Sequence, residues 1–190
     1  VVSYIRDNNE TDEMNLFQKM DAARSFVYSN KTYREIKSII ERESVDIVQV
    51  HNTMSFITPS VYYAATDMGI PVIQTVHNFR LFCPGALLFR NGHICEECIQ
   101  DDTMKCALHH NCYRNSRWFT RLCVYTDRYH RKKGIYNKIN YICLTEFNRL
   151  KLLEGMRSYV DPDKVYVKPN FVNDSFSGMK NSEDTRYGRY

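Results

Sequence analysis

Along the chain, the spacing of apolar residues alternates between the two-residue rhythm of strands and the three-to-four-residue rhythm of helices. Val1–Ile5 is a short β-rich run, and the stretch after it, Arg6–Asp12, is polar. From Glu13 to Ser29, Leu16, Met20, Ala23 and Val27 recur at helical steps and predict an amphipathic helix. Tyr33, Ile36, Ile39 and Ile40 mark a second helix after Asn30. The β-branched run Val45–Val50 predicts a strand ending at His51-Asn52. Thr58-Pro59 sets a capping residue before a proline suited to the first helical position, and Gly69 closes that helix. Ile70–Val76 then predicts a buried strand ending at His77-Asn78.

The stretch from Phe79 to Asn115 shows no period and is expected to be irregular. Ser116 is placed to cap a helix whose Phe119, Leu122, Tyr125 and Tyr129 share a face. Ile139–Leu144 predicts a strand, and Thr145 caps a helix running to Gly155. Lys164–Lys168 predicts a last strand before Pro169-Asn170, and the polar tail from Asp174 to Tyr190 looks like a linker. Strands separated by helices imply right-handed crossovers, so the expected class is α/β with a mainly parallel, Rossmann-like sheet. The expected organisation is one domain over 1–173, with a cysteine-rich insertion at about 79–115 and a linker at 174–190.

Composition narrows the possibilities. With 190 residues, 43% hydrophobic and 25% charged, the chain falls in the globular class and outside the disordered and fibrous ones. No apolar run reaches the length of a bilayer span. The net charge of +4 is too mild to indicate a nucleic-acid binder. The charge is uneven, however: between Tyr113 and Lys138 there are eight basic residues and one acid, Asp127. Such a bias marks either a solvated face or an anionic partner. Val1–Ile5 lacks the flank and cleavage site of a secretory signal, and seven cysteines is an odd number, so the expected compartment is the reducing cytoplasm. The missing initiator Met suggests a piece of something longer.

Four expected strands end on polar residues: His51-Asn52, His77-Asn78, Thr145-Glu146 and Asn170. In open parallel sheets, ligands bind beyond the carboxyl ends of the strands, so these residues are candidates for one functional rim. Phosphate loops of the GxxxxGKS and GxGxxG kinds and the GxSxG elbow are absent. In the irregular stretch, Cys95-Glu96-Glu97-Cys98 offers two thiols at the bite of a zinc ion, with Cys83 and Cys112 as closing ligands. Cys106, His109 and His110 are alternative ligands, and reduced structural thiols are the competing reading.

Several segments, taken in order, resemble the N-terminal domain of glycosyltransferase family 4. They are Asp46–Asn52, Gly69–Pro84, Cys112–Ser116, Leu144–Phe147 and Val167–Val172. The resemblance spans roughly Val45 to Asn173 and implies a GT-B architecture, in which the N-terminal domain receives the acceptor and a second domain holds a nucleotide-sugar donor. It implies a retaining transfer to a glycan or lipid-linked acceptor, in surface polysaccharide synthesis. By the same resemblance, His77 lies against the donor sugar, and His51, Asn52, Asn78, Arg80, Thr145, Glu146 and Asn170 shape the substrate site. The family's opening strand with its glycine loop and the donor-binding domain are expected outside this chain, leaving the chain alone inactive. The basic helix region, with Trp118, Arg117, Arg121 and Arg131-Lys132-Lys133, is a candidate contact for anionic membrane, at the inner face of the plasma membrane. An open sheet edge favours a homodimer. A non-catalytic, zinc-stabilised α/β binding module is the alternative reading.

Overall fold

In the computed structural model, residues 1–6, 25–54 and 57–171 are described. Four short strands, β1 (Val48–Val50), β2 (Val72–Val76), β5 (Asn140–Cys143) and β6 (Val165–Val167), form one sheet in the order β1-β2-β5-β6. Every pairing in it is parallel, with Val50 opposite Gln74, Val76 opposite Cys143 and Cys143 opposite Val167. Helices α1 (Asn30–Glu43), α2 (Ser60–Thr66), α5 (Arg117–Lys132) and α6 (Glu146–Met156) flank the sheet. The architecture is the Rossmann-like α/β class that the alternating pattern predicts.

The helix starts follow from their capping residues. The hydroxyls of Ser29, Ser116 and Thr145 accept the backbone N–H of Thr32, Phe119 and Asn148, relieving donors that have no partner in the first turn. α2 begins at Ser60, one residue after Pro59, and its Ser60 N–H donates to the Thr58 hydroxyl. Gly69 follows α2 with φ +72°, a left-handed conformation open to glycine at no steric cost. The core joins α1 (Ile36, Ile40), α2 (Val61, Tyr62, Ala65), the strands (Val72, Tyr141, Val165) and α6 (Leu152, Met156).

Four expectations are corrected. Val1–Ile5 forms no strand in the sheet; its Tyr4 hydroxyl donates to Glu35 of α1 at 2.5 Å. The stretch 79–115 is not bare loop. It holds a small hairpin of β3 (Phe89–Arg90) and β4 (His93–Ile94), then α3 (Glu97–Gln100) and α4 (Lys105–His110). Asn91 and Gly92 turn the hairpin with φ of 51° and 82°, the positive angles that a two-residue turn of this kind requires. On α5 the buried side is Thr120, Cys123, Val124, Asp127, His130 and Arg131, while Phe119 and Tyr125 are exposed. The stripe read from the sequence therefore runs along the border of the helix, with Leu122 and Tyr129 half-buried, and the polar groups inside are engaged by an ion pair and hydrogen bonds described below. Finally, Gly155 lies inside α6, which runs on to Met156. Most of the helix expected over Glu13–Ser29 and the linker at 174–190 lie outside the described residues.

Candidate functional site

The two His-Asn pairs leave neighbouring parallel strands at the carboxyl edge of the sheet, and their side chains meet. His51 Nδ1 lies 2.9 Å from His77 Nε2, with ring centroids 5.2 Å apart and planes 24° from parallel. At that distance one nitrogen donates and the other accepts, so the pair shares a single proton. Both asparagines are built in the same way: Asn52 Oδ1 accepts the N–H of Met54 at 3.2 Å, and Asn78 Oδ1 accepts the N–H of Arg80 at 3.0 Å. These turns engage each amide oxygen on its own backbone and leave the amide Nδ2 groups outside the turn hydrogen bonds.

A buried relay holds the first pair in place. Tyr62 of α2, fully buried, donates to Gln74 Oε1 at 2.6 Å, and Gln74 Nε2 donates to the carbonyl oxygens of His51 at 3.2 Å and Thr75 at 2.7 Å. The amide of Gln74 thus fixes the exit of β1 from inside the sheet, where no water competes.

Above this rim opens a small recess of about 50 Å³ lined by His51, Asn52, His77, Asn78 and Arg80. Asp127 and Thr126 of α5 and Tyr136 line it as well. Sequence reasoning did not select Asp127 as a site residue, although its position as the lone acid among eight basic residues was a signal. Burial pushes its carboxyl up to about 7, against the pull of Arg131. Arg131 Nε stands 2.5 Å from Asp127 Oδ2, and its Nη1 and Nη2 donate to Asp102 Oδ1 at 2.6 Å and to the carbonyl oxygen of Leu81 at 3.0 Å. Tyr159 donates to the other oxygen of Asp102 at 2.9 Å. One guanidinium therefore ties the insertion to α5 and to the segment beneath the rim.

The remaining candidates do not line this cavity. Thr145 is engaged as the cap of α6, Glu146 pairs with Arg149 at 2.9 Å, and Asn170 is exposed beyond β6. They share the same edge of the sheet, since β2 and β5 end level.

The cysteines are all free thiols. Cys98 and Cys106 lie with sulfurs 3.0 Å apart, and Cys98, Cys106 and Cys112 belong to one small apolar cluster with Met104, Ala107 and Val124. Burial raises the proton affinity of Cys98 and Cys106 and pushes Cys112 up to about 11. Cys83 Sγ and Cys112 Cβ each lie 3.8 Å from where a side chain would begin on Gly85. Among the described residues, no three His, Cys, Asp or Glu side chains converge as metal ligands. Cys106, rather than Cys95, is the sulfur that stands against Cys98.

Among the described residues, no helix is long and apolar enough to cross a membrane. No protein-family model matches the chain, no curated protein matches it in sequence, and no solved structure matches it in fold.

Proposed function

We propose that the chain is the acceptor-side domain of a retaining glycosyltransferase that moves a sugar from a nucleotide-sugar donor to a glycan or lipid-linked acceptor. The observation that carries this reading is the pair of strand-end histidines, 2.9 Å apart, over an open cavity at the carboxyl edge of a parallel sheet. It is supported by the resemblance of the same segments to family 4. In this reading the chain's own residues bind and orient. His77 hydrogen-bonds the donor sugar, His51 fixes its tautomer through the shared proton, and the amide nitrogens of Asn52 and Asn78 meet acceptor hydroxyls. Holding both substrates in register supplies the rate enhancement through orientation, without a protein base.

The test is sugar transfer by the natural gene product from a panel of nucleotide sugars. His77→Ala is expected to lower turnover about 100-fold or more with the fold intact. Unchanged turnover overturns the role of His77. Absence of transfer from every donor favours the non-catalytic binding module.

Two further features fit this reading. The thiols of the insertion are proposed to hold structural zinc, for which soft sulfur donors are the right chemistry. Two thiolates on one zinc stand about 3.8 Å apart, from Zn–S bonds of about 2.3 Å in a tetrahedron. Cys98 and Cys106 at 3.0 Å would open by less than about one ångström. Cys112, in the same cluster, and Cys83, which lies with Cys112 beside Gly85, are candidates to complete the set, as is Cys95, which precedes Cys98 in the Cys95-Glu96-Glu97-Cys98 segment. The outer face of α5 is proposed to meet anionic lipid. At about 100° per residue, Arg117, Arg128, Arg121 and Lys132 fall in one stripe, with Tyr125 and Trp118 along its margin. Trp118 is 63% exposed and Tyr125 59%. A basic stripe beside interfacial aromatics is the composition of a membrane-surface helix.

A further inference from the structure

A second recess adjoins the first and shares Asn52, Met54 and Arg80 with it. Its walls are largely polar, and beyond those three they include Tyr113 and Arg114. Two guanidinium groups stand on the ring of Tyr113: Arg80 at 5.0 Å and Arg114 at 5.6 Å from its centre. Like charges held on a single ring repel unless an anion lies between or beside them. Neither arginine has a carboxylate partner among the described residues, and no Asp or Glu lines the recess. Where a carboxylate lies within reach the chain pairs its arginines, as Arg90 with Glu97, Arg131 with Asp102 and Arg149 with Glu146. This recess brings two guanidinium groups onto one ring and offers them no such carboxylate.

The platform is rigid. Tyr113 is buried, its backbone N–H donates to the Thr120 hydroxyl at 3.0 Å, and its ring meets Phe26 edge-on at 6.3 Å. Among the described residues, the Arg80 guanidinium makes one hydrogen bond, from Nη1 to the carbonyl oxygen of Pro84 at 2.9 Å. A guanidinium has five N–H donors, so most of Arg80's fork is left for a ligand. Arg114 contributes a second fork, steadied over the ring of Phe119 at 5.7 Å. Planar forks of this kind match the paired oxygens of phosphate groups.

From this geometry we infer that Arg80 and Arg114, carried on Tyr113, form a binding site for a phosphate or diphosphate group next to the histidine pair. The site deepens the acceptor reading and rests on it for the identity of the ligand: the acceptor then carries its sugar on a phosphate or diphosphate, with the anion in the recess and the sugar hydroxyls toward His51 and Asn52. The existence of the site does not depend on transfer, so binding and activity can fail separately.

The experiment is titration of the chain with inorganic pyrophosphate in the absence of any sugar, followed by calorimetry and by amide NMR shifts at Tyr113 and Arg114. Saturable binding is expected, weakened about 10- to 100-fold in Arg114→Ala. Arg80→Lys, which keeps the charge and the packing but removes the fork, should weaken it by a similar factor. Arg34→Ala, which removes the same charge from the exposed face of α1, should leave it unchanged. A parallel arm measures capture on vesicles containing phosphatidate. Arg114-dependent capture without pyrophosphate binding assigns the site to a lipid headgroup, whereas pyrophosphate binding assigns it to a soluble diphosphate. If neither ligand binds, or if Arg34→Ala weakens binding as much as Arg114→Ala, the site is refuted.

Discussion

The ring of Phe82 occupies the space in which a side chain on Gly155 would begin. A Cβ built on Gly155 would lie 2.3 Å from Phe82 Cδ2 and 2.4 Å from Cγ, and the phenyl group is fully buried with no free space to retreat into. Phe82 comes from the segment that follows the rim, and Gly155 from α6, so this contact seats the start of the insertion on the sheet's last helix. Gly155→Ala would gain about 1 kcal/mol of helix propensity. Overpacking costs about 1–3 kcal/mol and is the larger effect where the clash involves a ring rather than a flexible chain. The expected outcome is a net loss of stability, seen as a lower urea midpoint with an unchanged slope.

Tyr62→Phe removes the buried hydroxyl that donates to Gln74 Oε1. A buried acceptor left without a partner costs about 1–3 kcal/mol. The same substitution loosens the amide that holds the His51 carbonyl oxygen. Two readouts are therefore expected to move together: the thermal midpoint falls, and the ring NMR signals of His51 and His77 shift. A fall in stability with unmoved histidine signals would show that the relay has no bearing on the rim.

Asp127 gives the stability a pH dependence of known sign. Its carboxyl takes up a proton at about 7 in the folded chain against 3.8 when free, because burial disfavours the charge. Between those values the folded chain holds a proton that the unfolded chain has released. The contribution is therefore full below 3.8 and declines as pH rises toward about 7, at roughly 1.4 kcal/mol per pH unit. Asp127→Asn should flatten this slope in urea titrations run across that range. A profile with the same slope in both proteins would mean that Asp127 stays ionised on Arg131 throughout.

The thiols separate two outcomes by mass and metal content. With zinc in place, the purified protein should hold about one equivalent, and cobalt in its stead should give the absorption of tetrahedral thiolate coordination. Cys98→Ser should abolish both. Without zinc, mild oxidation should join Cys98 to Cys106, whose sulfurs need to close from 3.0 Å to about 2.05 Å, with loss of two hydrogens. Recovery of the disulfide from metal-containing protein would overturn the zinc proposal.

The lipid-facing role of α5 is tested by pelleting with anionic vesicles. The wild-type chain is expected to sediment at low salt and to release as salt rises, since surface charges are screened. Arg117→Glu with Arg121→Glu should abolish sedimentation while leaving the helix content intact. Equal sedimentation with neutral vesicles would point away from electrostatic docking.

Much of this fold could be read from residue order. Capping hydroxyls at Ser116 and Thr145, the glycine after α2 and the β-branched runs before the two His-Asn pairs all have local causes, and each element formed where its local chemistry placed it. The hairpin was written in Asn91-Gly92, a turn signal that the absence of period around it obscured. What the sequence concealed depends on tertiary partners. The inner face of α5 carries Asp127, His130 and Arg131, because Asp102, the carbonyl oxygens of Leu81 and Val27, and Tyr63 supply their partners from distant segments. No periodicity rule assigns such residues to a core. At the site, the convergence of His51 and His77 was legible as two matching strand ends. The Tyr113 platform was not, since its two arginines are separated by more than thirty residues in the chain.

The histidine pair is also a ruler of strand alignment. β1 and β2 run side by side with Val50 opposite Gln74, and the two rings meet only because the strands leave the sheet in that alignment. A slip of one residue would carry His51 about 3.3 Å along its neighbour and turn its side chain to the other face. A misaligned chain could still bury Ile36, Tyr62 and Leu152, yet the proton between the rings would vanish. The hydrogen-bonded imidazole signal thus reports correct assembly of the sheet, and any variant that keeps the signal has kept the geometry on which binding at the rim depends.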